Sequence, residues 1–352
     1  MKSPRAMCSS RVTRLGTALA LAIASSLLSF PAISQTTPAQ SLDEIARLAK
    51  AEGSLTTYVV FTDNVAQPLI KLFSERYGVR VDYVRLSGGP LTQRYSAELE
   101  AGNPAADMVF FNNAEAFLQD GIKKTWLTPI AELGLPALRS GEFPARFARA
   151  GGAIVQISPW HILYNTDKLK GADIPKNWQD LLHPRFKGQI LIADPAESDS
   201  YLDVWALLRD TYGEAFYAGL RAQDIRWSSG VMAAVQALGA GEASIQVPAT
   251  RFVGQIIAAK GGPVSAILPD PATGIETYMA MTHRAKAKHP NAARLFANFV
   301  LTEEGNKAFA AGAGAGTYSV FDTTGLPKTY SSPKLGTVPR KGELRTLLGL
   351  KP

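Results

Sequence analysis

Residues 55–86 read LTTYVVFTDNVAQPLIKLFSERYGVRVDYVRL, and this stretch decides the fold class. Leu55 to Phe61 is a β-rich apolar run, and Thr62-Asp63 is a turn or helix cap. Leu69, Ile70, Phe73 and Tyr77 then recur at helical spacing up to Gly78, and Val79 to Leu86 is a second strand. Strand, helix and strand within about 30 residues make a βαβ unit, whose crossover is expected to be right-handed. Upstream, Ser41 and Glu44 have the spacing of a capping box, ahead of an apolar face at Ile45 and Leu48 that ends at Gly53.

The pattern repeats downstream. Ser87-Gly88-Gly89-Pro90 opens a helix to Glu100, and Asp107 to Phe111 is a short strand before Asn112-Asn113. Ala153 to Ser158 is a strand that meets Pro159-Trp160-His161 and continues as Ile162 to Asn165, which reads as a first crossing into a second lobe. Ile174 to Phe186 reads as a short surface helix between turns. Strands at 189–194, 224–228, 243–247 and 264–268 alternate with helices, and Pro269 to Gly274 reads as the crossing back. Helices over 292–301 and 304–311 precede a turn-rich, basic tail. Apolar strands that need cover on both faces predict α/β layers with mixed sheets and helices on both faces.

The chain has 352 residues, 46% of them apolar and 19% charged, enough to bury a large core. Its formal charge of +7 sits at the ends. Lys2, Arg5, Arg11 and Arg14 have no acidic neighbour in residues 1–34, and six basic residues in 328–352 face Glu343 alone. The body between is slightly acidic, which argues against a nucleic-acid partner, because such a protein carries its positive field on the folded body. Residues 1–34 have the plan of a signal peptide: a basic start, an apolar stretch from Leu15 to Phe30, and Ala32-Ile33-Ser34 before Gln35. Cys8 is the only cysteine and would leave with that leader. A cysteine-free mature chain has no disulfide, thiolate nucleophile or Cys-ligated metal.

No HExxH, G-x-S-x-G or Walker A sequence occurs, and His161, His183, His283 and His289 are not spaced as a metal pair. Asp63, Asp107, Asp194, Glu197 and Asp199 could form a carboxylate pair or metal cage, and the Asp194 to Asp199 loop with a metal is the basis of an alternative reading as a metal-dependent periplasmic enzyme. Asp63 and Asp107 read better as a cap and a loop end. Four Ser/Thr/Gly loops stand at strand-to-helix transitions: Thr62-Asp63, Ser87-Gly88-Gly89, Asp194 to Ser200, and Ser228-Ser229-Gly230. First-turn N–H groups there accept anionic or polar ligands, and ligands of open α/β sheets bind beyond the carboxyl ends of strands. Together the loops predict a site for a small polar solute rather than for turnover.

Several segments carry a family resemblance: Glu52-Gly53-Ser54-Leu55 with Tyr58, Ala106-Asp107-Met108-Val109, Tyr164-Asn165-Thr166, Pro175 to Leu182, Phe186-Lys187-Gly188-Gln189-Ile190, Ala240-Gly241-Glu242, His289 to Ala293, and Glu303-Glu304-Gly305. Over residues 50–325 the chain resembles the periplasmic solute-binding proteins of ABC importers, in the branch that includes ferric-iron, phosphonate, thiamine and polyamine receptors. The resemblance implies a class II-like two-lobe periplasmic binding protein fold with two crossing segments, lobe 1 from 41–155 and 270–352 and lobe 2 from 156–269. It also implies a monomer in the periplasm that closes on one ligand, docks on an inner-membrane permease, and needs no cofactor.

Mapped onto this chain, the binding positions are Thr62, Ser87, Gly88, Ser158, Trp160, Ser198, Ser200, Ser228 and Ser229. Iron-binding members carry two adjacent tyrosines shortly after the segment matching Gly241-Glu242, where this chain has Arg251-Phe252. A guanidinium repels a trivalent cation and forks onto an anion, so Arg251 joins the expected set. The ligand expected from sequence is an organic anion such as a phosphonate or phosphate ester, with ferric iron as the alternative.

Overall fold

The computed structural model describes residues 40–195, 200–334 and 338–352. The expected leader, Cys8, Glu197, Ser198 and Asp199 lie outside the described residues. In chain order the elements are α1 (Leu42–Glu52), β1 (Ser54–Val59), α2 (Asp63–Tyr77), β2 (Arg80–Arg85), α3 (Gly88–Glu100), β3 (Met108–Asn112), α4 (Glu115–Lys123), α5 (Pro136–Arg139), β4 (Ala148–Arg149), β5 (Gly152–Asn165) and β6 (Ile190–Ala193). There follow α6 (Ser200–Arg221), β7 (Arg226–Ser228), α7 (Val231–Gly239), β8 (Ile245–Thr250), α8 (Arg251–Ala258), β9 (Val264–Ile267), β10 (Gly274–Met281), α9 (Pro290–Val300), α10 (Glu303–Gly312), β11 (Tyr318–Ser319) and α11 (Lys341–Leu347).

The opening βαβ unit forms as the sequence predicts. β1 pairs in parallel with β2 from Ser54↔Arg80 to Val59↔Arg85, and on its other side with β3. Ser41 Oγ accepts the Glu44 N–H at 3.2 Å, but the Glu44 carboxylate accepts from Gln40 instead of closing the capping box. Gly53 and Gly78 end α1 and α2 with φ of 76° and 66°, a region that an L side chain resists.

The two-lobe expectation is wrong. Among the described residues eleven strands form one curved half-barrel sheet flanked by helices, in the order β2-β1-β3-β10-β5-β8-β6-β7, with β4, β9 and β11 also paired to β5. The expected crossing at Pro159-Trp160-His161 does not leave the sheet, although proline has no N–H for a ladder. Instead, β5 runs unbroken for 14 residues and changes neighbours there. Up to Pro159 it pairs with β10, and from Trp160 onward with β8. Gly274 sits opposite Pro159, and a Cβ on it would lie 2.6 Å from the Pro159 Cα, so a glycine is what lets the strands stay together. The expected return crossing at Pro269 to Gly274 leads directly into β10 of the same sheet.

Buried side chains gather on this sheet in three groups. Phe73, Phe110, Phe296, Phe299 and Phe309 centre the first, with Phe73 and Phe296 edge-to-face at 4.8 Å. Trp178, Trp205 and Tyr217 centre the second, and Leu163, Val235 and Leu238 belong to the third. The surface helix expected over 174–186 is a pair of 3₁₀ turns, Trp178–Leu182 and Pro184–Phe186. The tail is more than turns: α11 buries Leu344, and Leu348 just after it, against α6.

Candidate functional site

Parallel pairing sets where the polar loops end up. The Leu86 N–H bonds Val59 O at 3.0 Å, so Thr62 and Ser87 follow adjacent strand ends and cap α2 and α3. β6 is parallel to both β7 and β8, which brings the loops after Ala193, Ser228 and Thr250 to one end of the sheet. Asp194 N–H donates to Ser228 O at 3.3 Å, and Ser228 Oγ donates to Gly230 O at 3.0 Å. Ser229 is exposed. Arg251 opens α8 directly after its cap, Thr250, and its side chain is exposed.

A loop the sequence reading passed over, Gly312 to Thr317, joins several of these positions. Asn64, which accepts from the Thr62 hydroxyl, donates to Gly312 O at 3.2 Å. Ser158 Oγ and Thr317 Oγ1 are 2.9 Å apart. A Cβ on Gly316 would stand 2.5 Å from the Arg251 Cβ, and one on Gly314 would stand 3.0 Å from the Phe252 ring. Both glycines have φ of 82°. Trp160 is in register with Thr250 across β5 and β8. Thr62, Ser158, Trp160 and Arg251 are thus gathered around one glycine-rich turn, whose sequence signal was the alternation Gly312-Ala313-Gly314-Ala315-Gly316. Ser200 reaches this group through the next residue, Tyr201, whose ring is 5.0 Å from that of Trp160. Ser87 and Gly88 are exposed at the neighbouring strand end, with open space around Gly88. The Trp160 indole N–H is buried and unpartnered among the described residues. Cavities of about 540, 490 and 490 Å³ lie elsewhere, beside Tyr83, Tyr330 and Pro175.

Of the acids the sequence offered as a cage, the three described, Asp63, Asp107 and Asp194, have separate partners. Asp63 accepts from Tyr83 Oη at 3.0 Å. Asp107 is buried and accepts Thr56 N–H at 2.9 Å, His289 N–H at 2.8 Å and His289 Nδ1–H at 2.9 Å, so His289 is a partner of a structural carboxylate. Asp194 is paired with Arg345. Among the described residues no three His, Cys, Asp or Glu side chains come together. Two tyrosines that could offer phenolates to iron, Tyr278 and Tyr318, are engaged elsewhere. Tyr278 Oη donates to Glu276 at 2.9 Å and Tyr318 Oη to Gly325 O at 3.2 Å. Burial, reinforced by Glu276, pushes the Tyr278 and Tyr330 hydroxyls well up.

His161 lies behind the site. A carbonyl only accepts, so its Nδ1 carries the proton bonded to Pro159 O at 2.8 Å. Burial pushes its pKa down to about 4 and the Arg251 charge adds to this, against the Pro159 bond. The unfolded chain, titrating near 6.5, binds more protons between these values. Stability is therefore full above about pH 6.5 and falls as pH drops toward 4, by about 3 kcal/mol in all. Denaturation midpoints of His161→Gln should lose that slope, and an unchanged slope would show that His161 does not carry it.

Residues 103–335 match the family described as bacterial extracellular solute-binding proteins. An uncharacterised Haemophilus influenzae protein is 27% identical over 278 residues, covering 74% of this chain and 76% of its own. In fold, the chain is similar to Trichodesmium IdiA (FutA), solved with iron and citrate, at TM-score 0.63 and 18% identity, covering 84% of this chain and 98% of that one. It is similar also to the periplasmic binding protein AfuA of Actinobacillus pleuropneumoniae, solved with fructose-6-phosphate, at TM-score 0.59 and 20% identity, covering 84% and 97%. The chain therefore belongs to the bacterial extracellular solute-binding proteins, as a non-catalytic periplasmic receptor that hands a small ligand to the permease of an ABC importer.

Proposed function

We propose that the ligand is ferric iron carried in an anionic oxygen chelate of the citrate kind. The observation that carries this reading is Arg251 seated against Gly316, beside the Ser158–Thr317 hydroxyl pair. Guanidinium, hydroxyl and helix N-terminal groups donate hydrogen bonds and do not coordinate Fe(III) themselves. They suit the outer oxygens of a complex whose own carboxylates have already outweighed the metal's charge. IdiA, bound with iron and citrate, supports the ferric alternative over the free organic anion first expected from sequence. A second reading, a free phosphate ester, is favoured by AfuA with its sugar phosphate and by the same Arg251.

Calorimetry against Fe(III)-citrate, citrate alone and fructose-6-phosphate separates the readings. Fe(III)-citrate is expected to bind at one site at least about tenfold tighter than either other ligand, a difference of about 1.4 kcal/mol. Tighter binding of the metal-free anions would overturn the iron reading, and a tyrosinate-to-iron absorption band would move the ligand set to tyrosines.

A further inference from the structure

The family match ends at residue 335, yet α11 beyond it reaches back to the proposed site. Leu344 and Leu348, one helical turn apart, are buried against the α6 group, and Arg221 donates to Leu347 O at the end of the helix. Arg345, adjacent to Leu344, has a side chain only 14% exposed; its Nη1 donates to Asp194 Oδ1 and its Nε to Lys351 O at 2.8 Å. Asp194 is the first residue after β6, and its N–H holds Ser228 O.

We infer that Arg345 is a positioning residue for the site, fixing Asp194 at the end of β6 and, through it, the turn after β7; this rests on the receptor reading above. The contact has two physical effects. It fixes the side chain at a strand end whose backbone orients Ser228, and so the Ser228–Gly230 turn. It also offsets a carboxylate that would repel an anionic ligand arriving at that end of the sheet. Docking of α11 does not depend on it alone, because Arg340 pairs with Asp210 and Glu343 at 3.3 and 3.2 Å, and Arg209 with Glu343 at 3.7 Å. Substituting Arg345 therefore perturbs the turns more than the helix.

The test is amide hydrogen exchange of the full chain without ligand, comparing wild type with R345Q, R345K and D194N. R345Q and D194N are expected to raise exchange at Asp194 and Gly230, whose amides bond Ser228, about tenfold while β1 to β3 keep wild-type protection, and R345K to recover part of it. Affinity for Fe(III)-citrate should fall about tenfold in R345Q. Wild-type exchange at these amides in both R345Q and D194N would overturn the positioning role. So would loss of protection spread evenly over the sheet, which marks a purely global effect. If wild type binds no chelate or phosphate ester, the receptor's ligand reading fails while the exchange result still decides the role of Arg345.

Discussion

Glu276→Leu is expected to lower the unfolding free energy by about 3 kcal/mol or more, the largest loss foreseen for a single side chain here. The Glu276 carboxylate is 0% exposed and receives Tyr278 Oη at 2.9 Å, Tyr330 Oη at 3.1 Å and Ser332 Oγ at 2.7 Å. Its backbone is tied to Asn113 in both directions, by Glu276 N–H to Oδ1 at 2.8 Å and by Asn113 N–H to Glu276 O at 2.9 Å. Leucine keeps the backbone bonds and leaves two largely buried phenols without an acceptor, whereas Ser332 can turn to water. Glu276→Gln keeps an acceptor oxygen and should lose only about 1–2 kcal/mol. Urea denaturation at neutral pH measures both, and a loss under about 1 kcal/mol for Glu276→Leu would mean that the hydroxyls find water or other partners.

Arg251→Ala should weaken the best ligand by about ten- to a hundredfold, since one charge-assisted hydrogen bond contributes about 1.5–3 kcal/mol. The fold should be unaffected, because the guanidinium is exposed. Gly316→Ala reaches the same site from the other side. Its new methyl would meet the Arg251 Cβ at a backbone φ of 82°, so affinity and some stability should fall together. Calorimetry with matched circular dichroism tests the pair. An Arg251→Ala protein that binds every ligand as wild type does would remove the only side-chain cation from the proposed set.

What was legible in the sequence was local. The βαβ unit over 55–86, the helix stops at Gly53 and Gly78, and the strand-to-helix position of Thr62, Ser87 and Ser228 all follow from periodicity and turn chemistry. The route of β5 was not legible. Whether Pro159 breaks a strand depends on its neighbour, and Gly274 is more than a hundred residues away in the chain. Partnership failed in the same way for His289, whose segment looks polar and exposed until Asp107 is placed beside it. The Gly312 to Gly316 alternation was visible but has no meaning until Arg251 is set against Gly316. α11 was masked by its basic residues, although Leu344 and Leu348 already had the spacing of a buried face.

The pairing of β3 with β10 bears on how the chain can be made and exported. Met108–Asn112 has one neighbour, β1, supplied by sequence already synthesised, while its other neighbour arrives only with residues 274–281, Thr277 being 165 positions after Asn112. Until then the apolar β3 offers a bare row of N–H and C=O groups, the feature that recruits foreign strands in aggregation. Closing so long a loop is slow, and the nascent amino-terminal unit is sticky for the whole interval. A holding factor that keeps residues 54–112 from pairing early suits this topology better than rapid folding does, and truncation before residue 277 removes every residue that pairs with the free edge of β3.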